Sequence, residues 1–172
     1  MNGKQRIGKR RGFVAAAIGV GFLLTVGAAL ATPGVGILGP VQARGTLGPN
    51  VGPNLVVNSK TGVHLKALGS TNIVTQKITI APGGDTGWHS HPGPVLVTVK
   101  SGSIQLFYAS DTDCQGVVYE AGDSFVDRGD ENVHIARASP FDGVELWATY
   151  FVPGDDTTAP FRLDAPDPGT GC

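Results

Sequence analysis

Basic charge is what this chain has least of once its first dozen residues are set aside. Lys4, Arg6, Lys9, Arg10 and Arg11 are five of the 13 Lys and Arg residues; the other eight stand against 14 Asp and Glu, a net charge of −6. A domain of that balance has no electrostatic footprint for nucleic acid. It has no polybasic patch for anionic lipid either. Charge of both signs is thin, at 16% of 172 residues, while Gly numbers 26 and Pro 12. That mixture excludes a helical bundle and suits one turn-rich β domain. Cysteine occurs twice, at Cys114 and Cys172. Neither lies in the first 31 residues, so the chain is no lipoprotein acylated on a leader cysteine. Outside the cytoplasm an even pair suggests a disulfide between Cys114 and Cys172. Two free thiols, or a metal role for Cys114, are the other readings.

The one long apolar run is Phe13 to Ala31, just after the basic residues. A basic segment, an apolar segment and a small-residue site make a secretory leader. Ala29-Leu30-Ala31 fits the cleavage rule, and Val41-Gln42-Ala43 offers a second site. Lys9-Arg10-Arg11-Gly12-Phe13-Val14 resembles a twin-arginine export signal, with Lys9 where that pattern has Ser or Thr. An uncleaved anchor is the competing reading, since the run is about the ~20 residues a spanning helix needs. The glycines within it, Gly19, Gly21 and Gly27 among them, make a poor lipid helix. The expected location is extracytoplasmic, secreted or in the cell envelope, touching a membrane only through an uncleaved leader.

Residues 32–54 are rich in Gly and Pro and carry one charge, Arg44. They read as a flexible linker or extended arm. From about Leu55 the pattern becomes β, and strands recur roughly every ten residues with turn signals between them. Val63, Leu65 and Ala67 alternate with His64, Lys66 and Leu68, which puts His64 on a surface. Ile73–Ile80 is the next strand, closed by the turn cluster Ala81-Pro82-Gly83-Gly84. Val95–Val99 is a buried strand, Ser103–Ala109 another, and Val144–Val152 the last. Beyond Pro153 the sequence turns irregular and reads as an arm over 154–172.

The stretch that carries chemistry is Gly83 to Gly102. His89 and His91 leave one face of a strand, because side chains at i and i+2 do so. Two imidazoles on one face grip a transition metal; zinc, copper, iron and nickel all suit them. Trp88 precedes them, either shielding a metal or covering a barrel mouth. The spacing of Gly83, His89, His91 and Gly102 resembles the first motif of the cupin superfamily: a glycine, five residues, His-x-His, three or four residues, a glutamate, six residues, a glycine. Val95 stands where that glutamate belongs. Ala121-Gly122-Asp123 resembles the opening of the second motif, whose closing histidine is here His134. Eleven residues separate Gly122 from His134, one more than the pattern. Gly129, Glu131 and Ala138 replace its proline, glycine and asparagine.

The resemblance covers about residues 55–153. It implies a small all-β jelly-roll barrel with irregular N- and C-terminal arms, and a metal held by His89, His91 and His134. The ion is a divalent transition metal, with iron, zinc, manganese, nickel and copper all open. Fold alone gives no function. The site suits a metal-dependent oxygenase or isomerase acting on a small molecule, or a secreted metal- or ligand-binding module without turnover. Catalytic residues are not assigned; Glu145 is a base only if its face of the last strand points inward. A homodimer stays open. N-terminal sequencing of protein from outside the cytoplasm should read from Thr32, or from Arg44 for the second cut; intact Met1 in membranes would instead establish the anchor.

Overall fold

The computed structural model describes residues 31–47, 54–130 and 132–172. The leader expected over 1–31 therefore lies, but for Ala31, outside the described residues. Those residues form twelve strands: β1 (Val35–Leu38), β2 (Val41–Thr46), β3 (Asn54–Asn58), β4 (His64–Leu68), β5 (Thr71–Asp85), β6 (His89–Ser90), β7 (Val95–Tyr108), β8 (Val117–Glu120), β9 (Ser124–Asp127), β10 (His134–Ala138), β11 (Val144–Pro153) and β12 (Leu163–Asp164). Among the described residues no helix is long and apolar enough to cross a membrane.

Four strands close the barrel. β5 pairs with β11, β11 with β7, β7 with β10, and β10 returns to β5 through Arg137 and Asp85. Every pairing is antiparallel, and closure leaves these strands no free edge. The inward face follows the two-residue alternation of a strand. On β11, Val144, Leu146, Ala148, Tyr150 and Val152 are buried, as are Val95, Val97 and Val99 on β7.

The separate strands expected at 95–99 and 103–109 are one strand, β7, that changes neighbours midway. Its first part pairs with β9 and β11, its last with β8 and β10. Gly102 lies at the change, with φ of 75°, and a Cβ there would run into the Gly143 carbonyl. Only glycine fits. β5 likewise runs through the expected turn at 81–84 as far as Asp85.

The stretch read as a linker or arm is paired over much of its length. β1 and β2 both lie antiparallel to β5. Most of their side chains are exposed, so they carry no hydrophobic alternation; backbone pairing orders them, helped by Ile37 against the core and Arg44 on the Ala159 carbonyl. The second cleavage site, after Ala43, falls inside β2, whereas a cut after Ala31 leaves both strands whole. Residues 48–53 lie outside the described residues. β3 and β4 form a hairpin that is a sheet of its own, so the barrel strands resume at Thr71 rather than at Leu55.

The C-terminal arm is largely irregular, as expected, but β12 pairs with β6. At its end Cys172 is bonded to Cys114. Trp88, Phe107 and Ile135 pack with Ala165 and Cys172 in a second apolar cluster beneath this arm. The bond spans 58 residues, and on the chain-entropy account a closure of that length stabilises by about 4 kcal/mol. Cys114→Ser should lose most of that in denaturant titration, and reductant should cost the wild type as much. A midpoint indifferent to both would overturn the prediction.

Candidate metal centre

β6 is only two residues long, yet it carries His89 into register with His134 of β10. His91 follows directly, ahead of Pro92-Gly93-Pro94. The three rings converge: centroids lie 4.3 Å apart for His89 and His134, 4.8 Å for His89 and His91, and 5.2 Å for His91 and His134. One nitrogen from each ring lies within 4.8 Å of the other two. All three residues are buried.

The second nitrogen of each ring is engaged. His89 Nδ1 lies 2.9 Å from the Gly87 carbonyl, His91 Nδ1 2.8 Å from that of Phe161, and His134 Nδ1 2.9 Å from that of Asn132. A carbonyl only accepts, so each Nδ1 carries the hydrogen and each Nε2 keeps a bare lone pair. Ligand histidines are oriented in this way, their second N–H tied to a carbonyl or carboxylate. Burial lowers the His89 and His91 rings. His89 falls well below 6.5, helped by the fields of His134, Arg162 and His91. His91 is lowered to about 4 by burial, against the Phe161 hydrogen bond. Neutral imidazoles bind an ion without first shedding a proton. The donor set therefore fits a first-row divalent ion.

Asp127 lies against His134, its Oδ2 3.0 Å from Nδ1. Burial alone would raise its carboxyl; the His134 contact and the Gly129 N–H outweigh that and hold it low. Toward solvent the site opens into a cleft of about 320 Å³ lined by Ile37, Gln76, Thr86, His89, His91, Tyr150 and Arg162 among others. Tyr150 donates to Gln76 Oε1 at 2.7 Å, and burial pushes its hydroxyl pKa well up. Arg162 donates from Nη2 to the Thr86 carbonyl at 2.7 Å and from Nε to Asp164 at 2.6 Å.

The remaining sequence candidates fall elsewhere. His64 is exposed and bonded to Asn58, far in sequence and sheet from the barrel site. Glu145 points away from the cavity into an ion pair with Lys77 at 3.0 Å and Lys100 at 2.8 Å. Its β11 alternation allowed no other outcome once Leu146 and Ala148 faced the core. Trp88 packs under the C-terminal arm, in the second apolar cluster rather than in the lining of the histidine cavity. Val95 lines the inner cavity as an apolar wall. Asp127, Phe161, Arg162 and Tyr150 were not singled out from sequence. Tyr150 alone had a signal, its place on the inward face of β11.

A pH dependence follows from the lowered histidines. A folded-state value below the unfolded 6.5 means that folding sheds protons in that window. Stability of the metal-free protein is thus full above about pH 6.5 and falls toward about pH 4, by roughly 1.4 kcal/mol per pH unit for each such histidine. Melting curves of metal-free protein across that range should show the fall, and His91→Gln should shallow it. A level profile would refute the assignment.

No family model matches the chain, and no curated protein sequence matches it. Solved structures do. It is similar to a cupin-like protein from Thermotoga maritima, 15% identical over 76% of this chain and 77% of that one, with a TM-score of 0.49. It is similar to a cupin superfamily protein from Desulfitobacterium hafniense, 11% identical over 67% and 77%, TM-score 0.44. A polyketide cyclase from Streptomyces resistomycificus is 17% identical over 54% and 60%, TM-score 0.43. These likenesses concern fold alone. What the structure itself shows is a closed antiparallel barrel in which His89, His91 and His134 line one inner cavity.

Proposed function

We propose that this chain is an exported metal-binding cupin in which His89, His91 and His134 hold a divalent transition ion that takes a small-molecule ligand. One observation carries the reading. Each Nδ1 hydrogen goes to a carbonyl, so three lone pairs meet in a buried space. Lone pairs crowded together repel unless they share a cation. Zinc, copper, iron and nickel suit imidazole best, and manganese is the remaining candidate. A bound ion supplies Lewis-acid polarisation of a ligand oxygen. The rest falls to the chain: the carbonyls orient the rings, and Val95, Leu106 and Ala148 keep the inner wall apolar. Arg162 at the mouth supports a small anionic ligand, because a guanidinium beside the cleft attracts and orients an anion. The leader and the bonded cysteine pair support an extracytoplasmic location.

With turnover, the chemistry that fits is that of a metal-dependent oxygenase or isomerase. The alternative is a secreted metal- or ligand-binding barrel without turnover. The outward ion pair of Glu145 favours it, since it removes the one base candidate read from sequence.

Elemental analysis of protein purified from the exported fraction tests the reading. His89→Ala, His91→Ala and His134→Ala should each lose most of the metal, and His64→Ala should keep it. A His134→Ala protein that binds metal like the wild type would end the proposal. Iron content would favour oxygenase chemistry over simple binding.

A further inference from the structure

The inner cavity behind the histidines is lined by one carboxylate among the described residues, that of Asp127. It is 2% exposed. β9 is antiparallel to β7, and the Cα partner of Asp127 is Val95. Both side chains face the same cavity. Directly opposed residues on one face have Cβ atoms ~4.5–5.5 Å apart. Val95 is the position where the resembling motif has its glutamate, so a carboxylate does stand there, one strand over.

The two oxygens of Asp127 differ. Oδ1 accepts from the Gly129 N–H at 2.6 Å. Gly129 has a φ of 70°, and a Cβ on it would run into the Gly93 carbonyl, so the loop that aims this N–H requires glycine. Oδ2 lies 3.0 Å from His134 Nδ1, but that N–H is directed at Asn132. No described donor reaches Oδ2 in line. A buried carboxylate with one oxygen unpaired is costly unless a positive charge lies close. The cavity lining offers no lysine or arginine; a divalent ion held by the three histidines would bring that charge.

We propose that Asp127 supplies from β9 the carboxylate charge that β7 lacks at Val95, acting beside His134 as a counter-charge rather than as a ligand. The inference rests on the three-histidine reading above. It changes what the centre offers: the ion is not left with its whole charge, and an anionic ligand meets a site already partly neutralised. Carboxylate partners behind a ligand histidine typically change metal affinity ~10–100-fold.

The test is a double-mutant cycle on zinc affinity, read by competition with a chromophoric chelator. Asp127→Asn should weaken zinc ~10–100-fold and alter the visible spectrum of the cobalt-substituted protein. Val95→Glu alone should tighten zinc by less than about threefold, because it sets a second carboxylate against the first. Val95→Glu in the Asp127→Asn background should recover about tenfold or more, which a purely structural aspartate would not permit. Should Asp127→Asn fail to fold, Val95→Glu decides alone: about tenfold tightening would overturn the proposal. Wild-type zinc affinity in Asp127→Asn, with the histidine variants impaired, would also overturn it. Histidine variants that bind normally would remove the metal reading itself.

Discussion

The N–H groups of three imidazoles point at three backbone carbonyls, and the rest of the structure keeps those carbonyls in place. Gly87 follows β5, Asn132 precedes β10, and Phe161 belongs to the C-terminal arm. They meet because β10 pairs at once with β5, β6 and β7. Without that closure the rings would lose their fixed tautomers. A site built of imidazoles depends on tautomer, since only the unprotonated nitrogen can donate to an ion. The apolar core serves the same end. It holds β7 and β11 in register, so Val95 and Tyr150 wall the histidines from within and from the mouth.

Much of the barrel was legible because its strands carry their own signal. The alternation on β11 and the valines of β7 name their inward faces without help. β1 and β2 carry no such signal. Most of their side chains remain exposed, and backbone pairing with β5 depends on partners from 26 residues away (Thr46 with Asn72) to 50 (Val35 with Asp85) that no local pattern announces. The reading of two separate strands, 95–99 and 103–109, left Gly102 in the gap between them. Gly102 is instead the residue that lets one strand change neighbours, a role set by the Gly143 carbonyl passing over it.

The histidines were legible for different reasons. His89 and His91 share a face by spacing alone. His134 rested on the resemblance, through a loop one residue too long and three mismatched positions. Asp127 left no trace in sequence because its meaning lies in register: it matters only as the partner of Val95 across β7 and β9. Arg162 and Phe161 were hidden in an arm whose composition says irregular. Only the fold brings that arm back across β6.

That arm has a consequence for the order of assembly. The carbonyl that turns His91 lies 70 residues after it. While the chain is being made, His89 and His91 are present long before Phe161 exists, and His91 has no fixed orientation. An ion captured then would meet a loose pair of imidazoles and be ranked by affinity alone, which favours copper. The three-ring geometry, with its own choice of ion, is a property of the finished chain. Which ion such a site would take therefore depends on what surrounds the protein once the C-terminal arm is in place.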